Sequence, residues 1–400
     1  MNRHTAAILA LGSAIFLGGC ATVNPAASTT TPTPVHRTPT PAATPSTPPL
    51  PPGPFAVVVT NAQRSGTTYD VLIIDTSGRV VARTQAQLPH LKANQTIDLP
   101  LVSASASRAF YLDGDTDIRS LSVDGTTALV KSVAAGSNAA VAFAVRPDEQ
   151  RIAIVAISEK SDPTKDTGHG YVEDLTDAAN HVDLFNNVGS FALRWPVGWH
   201  NGNVVDAIAR GNSYGYGEGP AVRPVASYHT ADAASGSRLA ALCETTDTSS
   251  AGGDYYYVEG GPSAGGIACE ESQGGATYTD ELLAVDWTGT EHKFVEKVTP
   301  DCCTSDPSVQ LRQCYLSPDA TQMACVANAN QSLTFVHSNG STNDSGRRYT
   351  VLGWIDGGHL LVDVDAGTLA VMSPSGGGVL TLAISDADKM AFGSALPGSL

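Results

Sequence analysis

The chain has 400 residues and a formal net charge of −16, with 23 Lys and Arg against 39 Asp and Glu. Phosphate recognition draws on clustered Lys and Arg, so this balance excludes a nucleic-acid partner and equally disfavours lying on an anionic membrane surface. Charged residues are sparse at 16% and Gly is abundant at 39 residues.

The chain opens on Arg3 and then on residues 6–19, an unbroken stretch of apolar and small residues that ends at Cys20. This is a signal-peptide shape over residues 1–19, and it is shorter than the roughly 20 apolar residues that a spanning helix needs. Leu17-Gly18-Gly19-Cys20 resembles the lipobox of bacterial lipoproteins. That resemblance implies cleavage before Cys20, acylation of its thiol and a lipid-anchored protein on the extracytoplasmic side of a cell membrane. Each buried methylene of an acyl chain contributes roughly 0.8 kcal/mol, and two or more chains give stable anchoring.

Residues 20–54 then turn to Pro, Thr, Ser and Ala, as in Thr31-Pro32-Thr33-Pro34 and Pro48-Pro49-Leu50-Pro51-Pro52. Such a segment builds no core. It reads as a semi-rigid spacer of about 3.1 Å per residue.

Residues 55–400 are long enough for a large core and carry an internal repeat. An apolar strand ends in a polar turn with Gly at Val71-Leu72-Ile73-Ile74 before Gly78, and at Ile118-Arg119-Ser120-Leu121 before Gly125. The pattern returns at 282–285 with Gly289, at 333–336 with Gly340 and at 369–372 with Gly376. A second unit, a Pro-Asp turn feeding an apolar strand, stands at Arg146-Pro147-Asp148-Glu149-Gln150-Arg151-Ile152 and at Ser317-Pro318-Asp319-Ala320-Thr321-Gln322-Met323. Looser copies are residues 103–112, Gly198-Trp199-His200-Asn201-Gly202 and Gly353-Trp354-Ile355-Asp356-Gly357.

These units resemble the TolB-type, WD-repeat-like β-propellers, whose repeat reads Ser-Pro-Asp-Gly before an apolar strand. Glu149 and Ala320 depart from it, standing where that family prefers Gly, and no separate domain precedes the repeats. The resemblance implies an all-β propeller. Strand starts near Ala56, Ala109, Ile152, Val204, Leu239, Met323 and Leu360 give seven blades, with six or eight also compatible. Closure requires the two ends of the domain to share a blade, and the expected arrangement is a strand from Phe55-Ala56-Val57-Val58-Val59 completing the blade that the C-terminus builds near 389–393.

Candidate chemistry is thin. Gly211-Asn212-Ser213-Tyr214-Gly215 matches a nucleophile elbow, but Gly217 and Pro220 follow where a helix is required, so it reads as a loop. Asp113, Asp115 and Asp117 have the alternate spacing of calcium ligands, with Asp124 at the twelfth position, yet Ile118 replaces the usual Gly and a hairpin turn is favoured. Residues 162–177, with His169, read as an exposed acidic loop without metal-ligand spacing. No metal and no cofactor is expected. Trp199 and Trp354 occupy equivalent repeat positions, which favours packing between blades over sugar stacking for these and for Trp195, Trp287 and Tyr255-Tyr256-Tyr257.

Beyond Cys20, six cysteines remain, Cys243, Cys269, Cys302, Cys303, Cys314 and Cys325. An even number in an exported chain points to disulfides, with Cys243 and Cys269 expected to bridge one blade's long loop. Adjacent Cys302 and Cys303 admit either a vicinal bridge or two separate ones. The functional expectation is a membrane-anchored, non-catalytic binding or scaffolding propeller whose partner is a protein or polysaccharide of the cell envelope. The alternatives are a propeller lyase or hydrolase acting on envelope polysaccharide or peptide, and a TolB-like envelope-assembly factor.

Overall fold

The computed structural model describes residues 53–396 apart from 63–65, 91–97, 106, 136–138, 159–164, 166, 189–193, 210–214, 217–224, 245–253, 274–277, 300–310, 328–331, 366–367, 376–379 and 382–389. The chain divides into two units, Met1–Pro49 and Leu50–Leu400. Residues 1–19, expected to be a signal peptide, Cys20 and nearly all of the expected spacer lie outside the described residues. The second unit is all-β and folds as seven four-stranded sheets.

Blade 1 begins with β1 (Phe55–Thr60), β2 (Thr68–Asp75) and β3 (Val80–Gln87), and β4 (Asp98–Leu99) lies in the connection beyond it. Blade 2 holds β5 (Val102–Ala104), β6 (Arg108–Asp113), β7 (Asp117–Ser122) and β8 (Thr127–Ser132). Blade 3 holds β9 (Ala139–Val145), β10 (Arg151–Ser158), β11 (Thr167–Asp174) and β12 (Val182–Val188). In blade 4, β13 (Arg194–His200) and β14 (Asn203–Ala209) precede a loop containing β15 (Gly215–Tyr216), after which come β16 (Val225–Ala231) and β17 (Arg238–Leu242). Blade 5 comprises β18 (Asp254–Val258), β19 (Ile267–Gln273), β20 (Tyr278–Val285) and β21 (Glu291–Thr299). Blade 6 comprises β22 (Leu311–Leu316), β23 (Gln322–Ala327), β24 (Leu333–His337) and β25 (Thr342–Asp344). Blade 7 is built from β26 (Thr350–Asp356), β27 (His359–Asp365), β28 (Thr368–Met372) and β29 (Leu380–Thr381), and the last strand, β30 (Met390–Leu396), returns to blade 1.

First strands of neighbouring blades touch around the circle, as β30 with β5, β5 with β9, β9 with β13, β22 with β26 and β26 with β30. The ring is therefore a seven-bladed propeller, and its closure runs opposite to the expected sense. The C-terminal strand β30 is the first strand of blade 1 and pairs with β1 from Phe55↔Leu396 to Thr60↔Met390, while the N-terminal end supplies the other three strands. The physical demand is the same either way, because an unpaired β1 would leave an open sheet edge.

Burial follows position within the blade. β10 is buried at most positions because sheets cover both of its faces, whereas the outermost strand β8 has no fully buried residue. The seven strand starts expected from the repeat fall on second strands in six blades, β1, β6, β10, β14, β23 and β27. The fifth start, Leu239, lies in β17, the outer strand of blade 4, and the second strand of blade 5 begins instead at Ile267. There the turn is Pro262-Ser263-Ala264-Gly265-Gly266, which contains no Pro-Asp pair for a repeat search to find.

The Pro-Asp turns of blades 3 and 6 are the same structure. Glu149 N donates to Arg146 O, Arg146 N to Arg151 O, Ala320 N to Ser317 O and Ser317 N to Gln322 O. Glu149 and Ala320 both take a left-handed backbone, with φ of 60° and 55°, which explains why Gly is preferred there. Glu149 offsets its strain by reaching back to blade 2, where it accepts from Ser105 Oγ at 2.5 Å and Ser107 Oγ at 2.7 Å and pairs with Arg108. Among the hydrogen bonds of the described residues, none is made by the methyl of Ala320.

Indole rings tie other blades together. Trp199 on β13 donates to Ala144 O of blade 3 at 2.9 Å, and Trp354 on β26 donates to Tyr315 O of blade 6 at 2.8 Å, the equivalent bond three blades on. All four tryptophans are buried. Two disulfides are present among the described residues. Cys314–Cys325 joins neighbouring strands within blade 6, while Cys243–Cys269 links the end of blade 4 to the second strand of blade 5. The latter pair thus spans two blades and does not bridge one blade's loop, because blade 5 begins later than the repeat spacing placed it. Cys302 and Cys303 lie outside the described residues.

Connections differ between the two faces of the ring. Those from first to second and from third to fourth strands share one face and contain two to eight residues, from 201–202 to 259–266. At the opposite face the second strands end, the third begin and successive blades join, and the strands that bound the four longest stretches of sequence between blade strands, 88–101, 210–224, 243–253 and 300–310, begin and end there. Phe55 lies opposite Asp75 at the start of a short turn, so the chain enters the propeller on the short-turn face. On the long-loop face, β4 and β15 pair in parallel, Asp98↔Gly215 and Leu99↔Tyr216, joining the crossing after blade 1 to the long loop of blade 4.

Candidate functional site

Most perturbed carboxylates belong to the turns. Asp75, Asp286 and Asp319 are each raised by desolvation, but hydrogen bonds from Ser77 and Arg79, from Thr288 and Thr290, and from Ser317 and Thr321 outweigh it and hold them below the usual carboxylate range. These acids cap their own turns, a structural use of charge. Asp113, Asp115 and Asp117 lie in and beside the β6–β7 hairpin. Asp113 Oδ1 accepts from Gln87 N, Asp115 Oδ1 from His90 N and Asp117 Oδ1 from Ser132 Oγ, so each already anchors neighbouring chain. Ser213 and Tyr214 of the elbow-like motif lie outside the described residues.

Two polar clusters remain, both missed by the sequence reading. The first stands on the outer hairpin of blade 3. Residues 162–177 are not one loop, since Thr167–Asp174 is β11, paired throughout with β10. Alternation along β11 sends His169, Tyr171 and Glu173 to one face and Gly168 and Gly170 to the other. A Cβ at Gly170 would fall 2.1 Å from Phe185 Cε1, so any side chain there would have to displace the Phe185 ring. Phe185 in turn carries the Arg194 guanidinium of blade 4 over its ring, 3.8 Å from the centroid.

On the His169 face, the β12 end of the hairpin adds His181 and Asp183. His169 Nε2 lies 2.7 Å from Asp183 Oδ1, and His181 Nε2 lies 3.1 Å from the same oxygen. His181 Nδ1 lies 3.3 Å from Glu173 Oε2, and Lys131 of blade 2 holds the other oxygen of Glu173 at 2.8 Å. Tyr171 stacks on His181 with centroids 4.8 Å apart. Desolvation draws the His181 pKa down, but its hydrogen bonds to Asp183 and Glu173 outweigh this and raise it above the usual histidine range. Desolvation, aided by the charge of Glu173, pushes the Tyr171 hydroxyl up to about 12. His169, His181 and Asp183 are a set whose donor atoms could hold a metal ion. The signal was present as two alternating stretches, His169-x-Tyr171-x-Glu173 and His181-x-Asp183, seven residues apart at the turn.

The second cluster crosses blade 4. Asp206 on β14 is opposite His229 on β16 and is completely buried, and neither of its oxygens accepts a hydrogen bond among the described residues. Arg194 Nε, 3.9 Å from Asp206 Oδ2, is buried without a hydrogen bond of its own, while its Nη2 donates to Leu184 O at 3.0 Å. Burial raises the Asp206 carboxyl to about 6 against the pull of Arg194. Burial likewise lowers His229, against the attraction of Glu244, whose Oε1 lies 3.5 Å from its Nε2. This row sets a buried acid between Arg194 and a histidine whose ring is drawn toward Glu244. It is invisible in a linear sequence because its members come from three strands 12 to 23 residues apart.

Ring, blade order and clusters together define a seven-bladed β-propeller with polar sites on blades 3 and 4. No protein-family model matches the sequence, and no curated protein matches it. Among solved structures, the chain is similar to BamB from Moraxella catarrhalis at 14% identity, covering 81% of this chain and 80% of that one with a TM-score of 0.35. It is also similar to the acylaminoacyl peptidase of Pyrococcus horikoshii at 9% identity, covering 82% of this chain and 52% of that one with a TM-score of 0.44. A chain of a mitotic checkpoint complex matches at 12% identity over 73% of this chain and 79% of its own, with a TM-score of 0.41. The fold assignment rests on the strand order itself.

Proposed function

We propose that this chain is a lipoprotein of the cell envelope whose propeller serves as a non-catalytic binding or scaffolding module. Cys20 carries the lipid, residues 21–54 are the spacer, and the long-loop face receives a protein or polysaccharide partner. The observation that carries this reading is the asymmetry of the ring. Its four longest connections leave from and return to one face, and the chain enters on the other, where the turns are short. Loops fixed on a rigid scaffold are where binding surfaces form, and a tether on the opposite face leaves them free to meet a partner. A net charge of −16 selects against polyanions as that partner.

Photo-cross-linking in cells tests the reading, with the reactive residue placed either on the long-loop face at 115 and 345 or in the short turns at 124 and 339. Capture of one envelope component from the long-loop sites alone is the expected result. Capture confined to the short turns, or equal from both faces, overturns the assignment of the binding face. Cys20→Ser should abolish acylation and release the chain from membranes, and membrane retention without Cys20 would refute the anchor.

A further inference from the structure

We propose that His169, His181 and Asp183 form a binding site for a divalent transition-metal ion of the zinc class on the outer hairpin of blade 3. This assignment is independent of the partner proposed for the long-loop face. The three donor atoms, two imidazole nitrogens and one carboxylate oxygen, lie within 4.8 Å of one another. Metal–ligand distances of about 2.0–2.1 Å in a tetrahedral site set donor-to-donor edges of about 3.3 Å. The 2.7 and 3.1 Å separations from Asp183 Oδ1 to the two rings need to open by a few tenths of an ångström, and the two imidazole nitrogens, which lie within 4.8 Å of each other, need to close toward the same edge by rotation of the rings. Asp183 is exposed and free to make that shift.

A second observation points the same way. Metal-binding histidines characteristically give their other ring nitrogen to a carboxylate, which fixes the tautomer and aims the free nitrogen at the ion. His181 meets this condition through Glu173, whose side chain is only 8% exposed and whose Oε2 faces Nδ1 at 3.3 Å. Lys131, from the neighbouring blade, balances the Glu173 charge at 2.8 Å on the oxygen that does not face His181. The Tyr171 ring, 4.8 Å from His181 and 5.1 Å from His169, backs both imidazoles. Supported rings, a buried carboxylate behind one of them and a movable carboxylate in front make a built site, distinct from a chance meeting of exposed polar groups.

Three protein donors leave at least one coordination position for water or for a donor from another molecule. The imidazole content selects zinc and its neighbours in the first transition row over calcium and magnesium, which prefer all-oxygen shells.

The test is a zinc titration of the full chain, prepared without an affinity tag, in competition with a chromophoric chelator and followed in parallel by cobalt absorption. The wild-type chain should take up one equivalent, and excess magnesium should leave the binding unchanged. His169→Ala and Asp183→Asn should each weaken it at least tenfold, and Glu173→Gln by about ten- to hundredfold through His181 alone. Zinc should raise the melting temperature of the wild-type chain and not that of Asp183→Asn, whose exposed, conservative change leaves the metal-free melting point in place. No stoichiometric zinc binding by the wild-type chain, or equal binding by the His169→Ala and Asp183→Asn chains, would overturn the proposal.

Discussion

Replacing Asp206 with Asn tests whether blade 4 holds a buried acid that folding must force to ionise. The carboxyl is completely buried, and its pKa rises from the usual 3.8 to about 6, with Arg194 only partly opposing the effect of burial. Below about pH 4 the acid is protonated in both folded and unfolded chains, and no penalty arises. Between about pH 4 and 6 the unfolded chain ionises while the folded one holds its proton, so stability falls as pH rises and then levels off. A rise from 3.8 to about 6 corresponds to a loss of about 3 kcal/mol. Asp206→Asn removes that loss but leaves Arg194 without its counter-charge, a cost that does not vary with pH across this range. The assay is therefore the difference in unfolding free energy between the two chains, from urea melts between pH 4 and 8. That difference should move in favour of Asp206→Asn by about 2–3 kcal/mol between pH 4 and 7 and stay level above. A difference that is flat across the range, or that moves toward the wild-type chain, would refute the argument.

The two Pro-Asp turns make opposite predictions from the same backbone. Ala320→Gly should stabilise the domain by about 0.5–1 kcal/mol, the relief of a left-handed Ala less the added freedom of the unfolded chain. Glu149→Gly relieves the same strain but loses Ser105, Ser107 and Arg108, and should destabilise by about 1–2 kcal/mol; thermal melts in which both variants shift the same way sink the comparison. Replacing Cys243 and Cys269 together by Ser opens a loop with a sequence separation of 26 and should lower the unfolding free energy by about 3 kcal/mol, with an unchanged urea midpoint as the contrary result. Removing residues 390–400 strips the first strand from blade 1 and should abolish cooperative melting, whereas removing 21–52 should leave the melting temperature of the domain where it was.

The sequence carried the propeller because blade geometry is written in short, local signals. The turns at Gly78, Gly125, Gly289 and Gly340 share one hydrogen-bond pattern and a positive φ, and each needs the Gly that marks it in the sequence. Trp199 and Trp354 were legible as packing residues for the same reason, since equal places in the repeat meet equal neighbours. Blade 5 was misplaced because Gly265-Gly266 makes its turn without Pro-Asp. The His169 hairpin reads as a loop from its acidic flanks, although its two-residue alternation is that of the strand β11. Asp206, Arg194 and His229 had no signal at all, because cross-strand register brings them together and no spacing rule encodes register.

Placing β30 at the head of blade 1 also governs when the domain can become a domain. Phe55 and Leu396 are partners at opposite ends of the propeller sequence, so the contact that seals the ring is also among those with the greatest separation along the chain. Contacts of that separation form slowly, and this one cannot form until β30 is present. An incomplete chain has seven blades' worth of apolar strand and no way to lock them. For a protein that must cross a membrane before it folds, as the proposed export of this one requires, such lateness is useful. Under the proposed export, the ring stays open until β30 has followed β1 across.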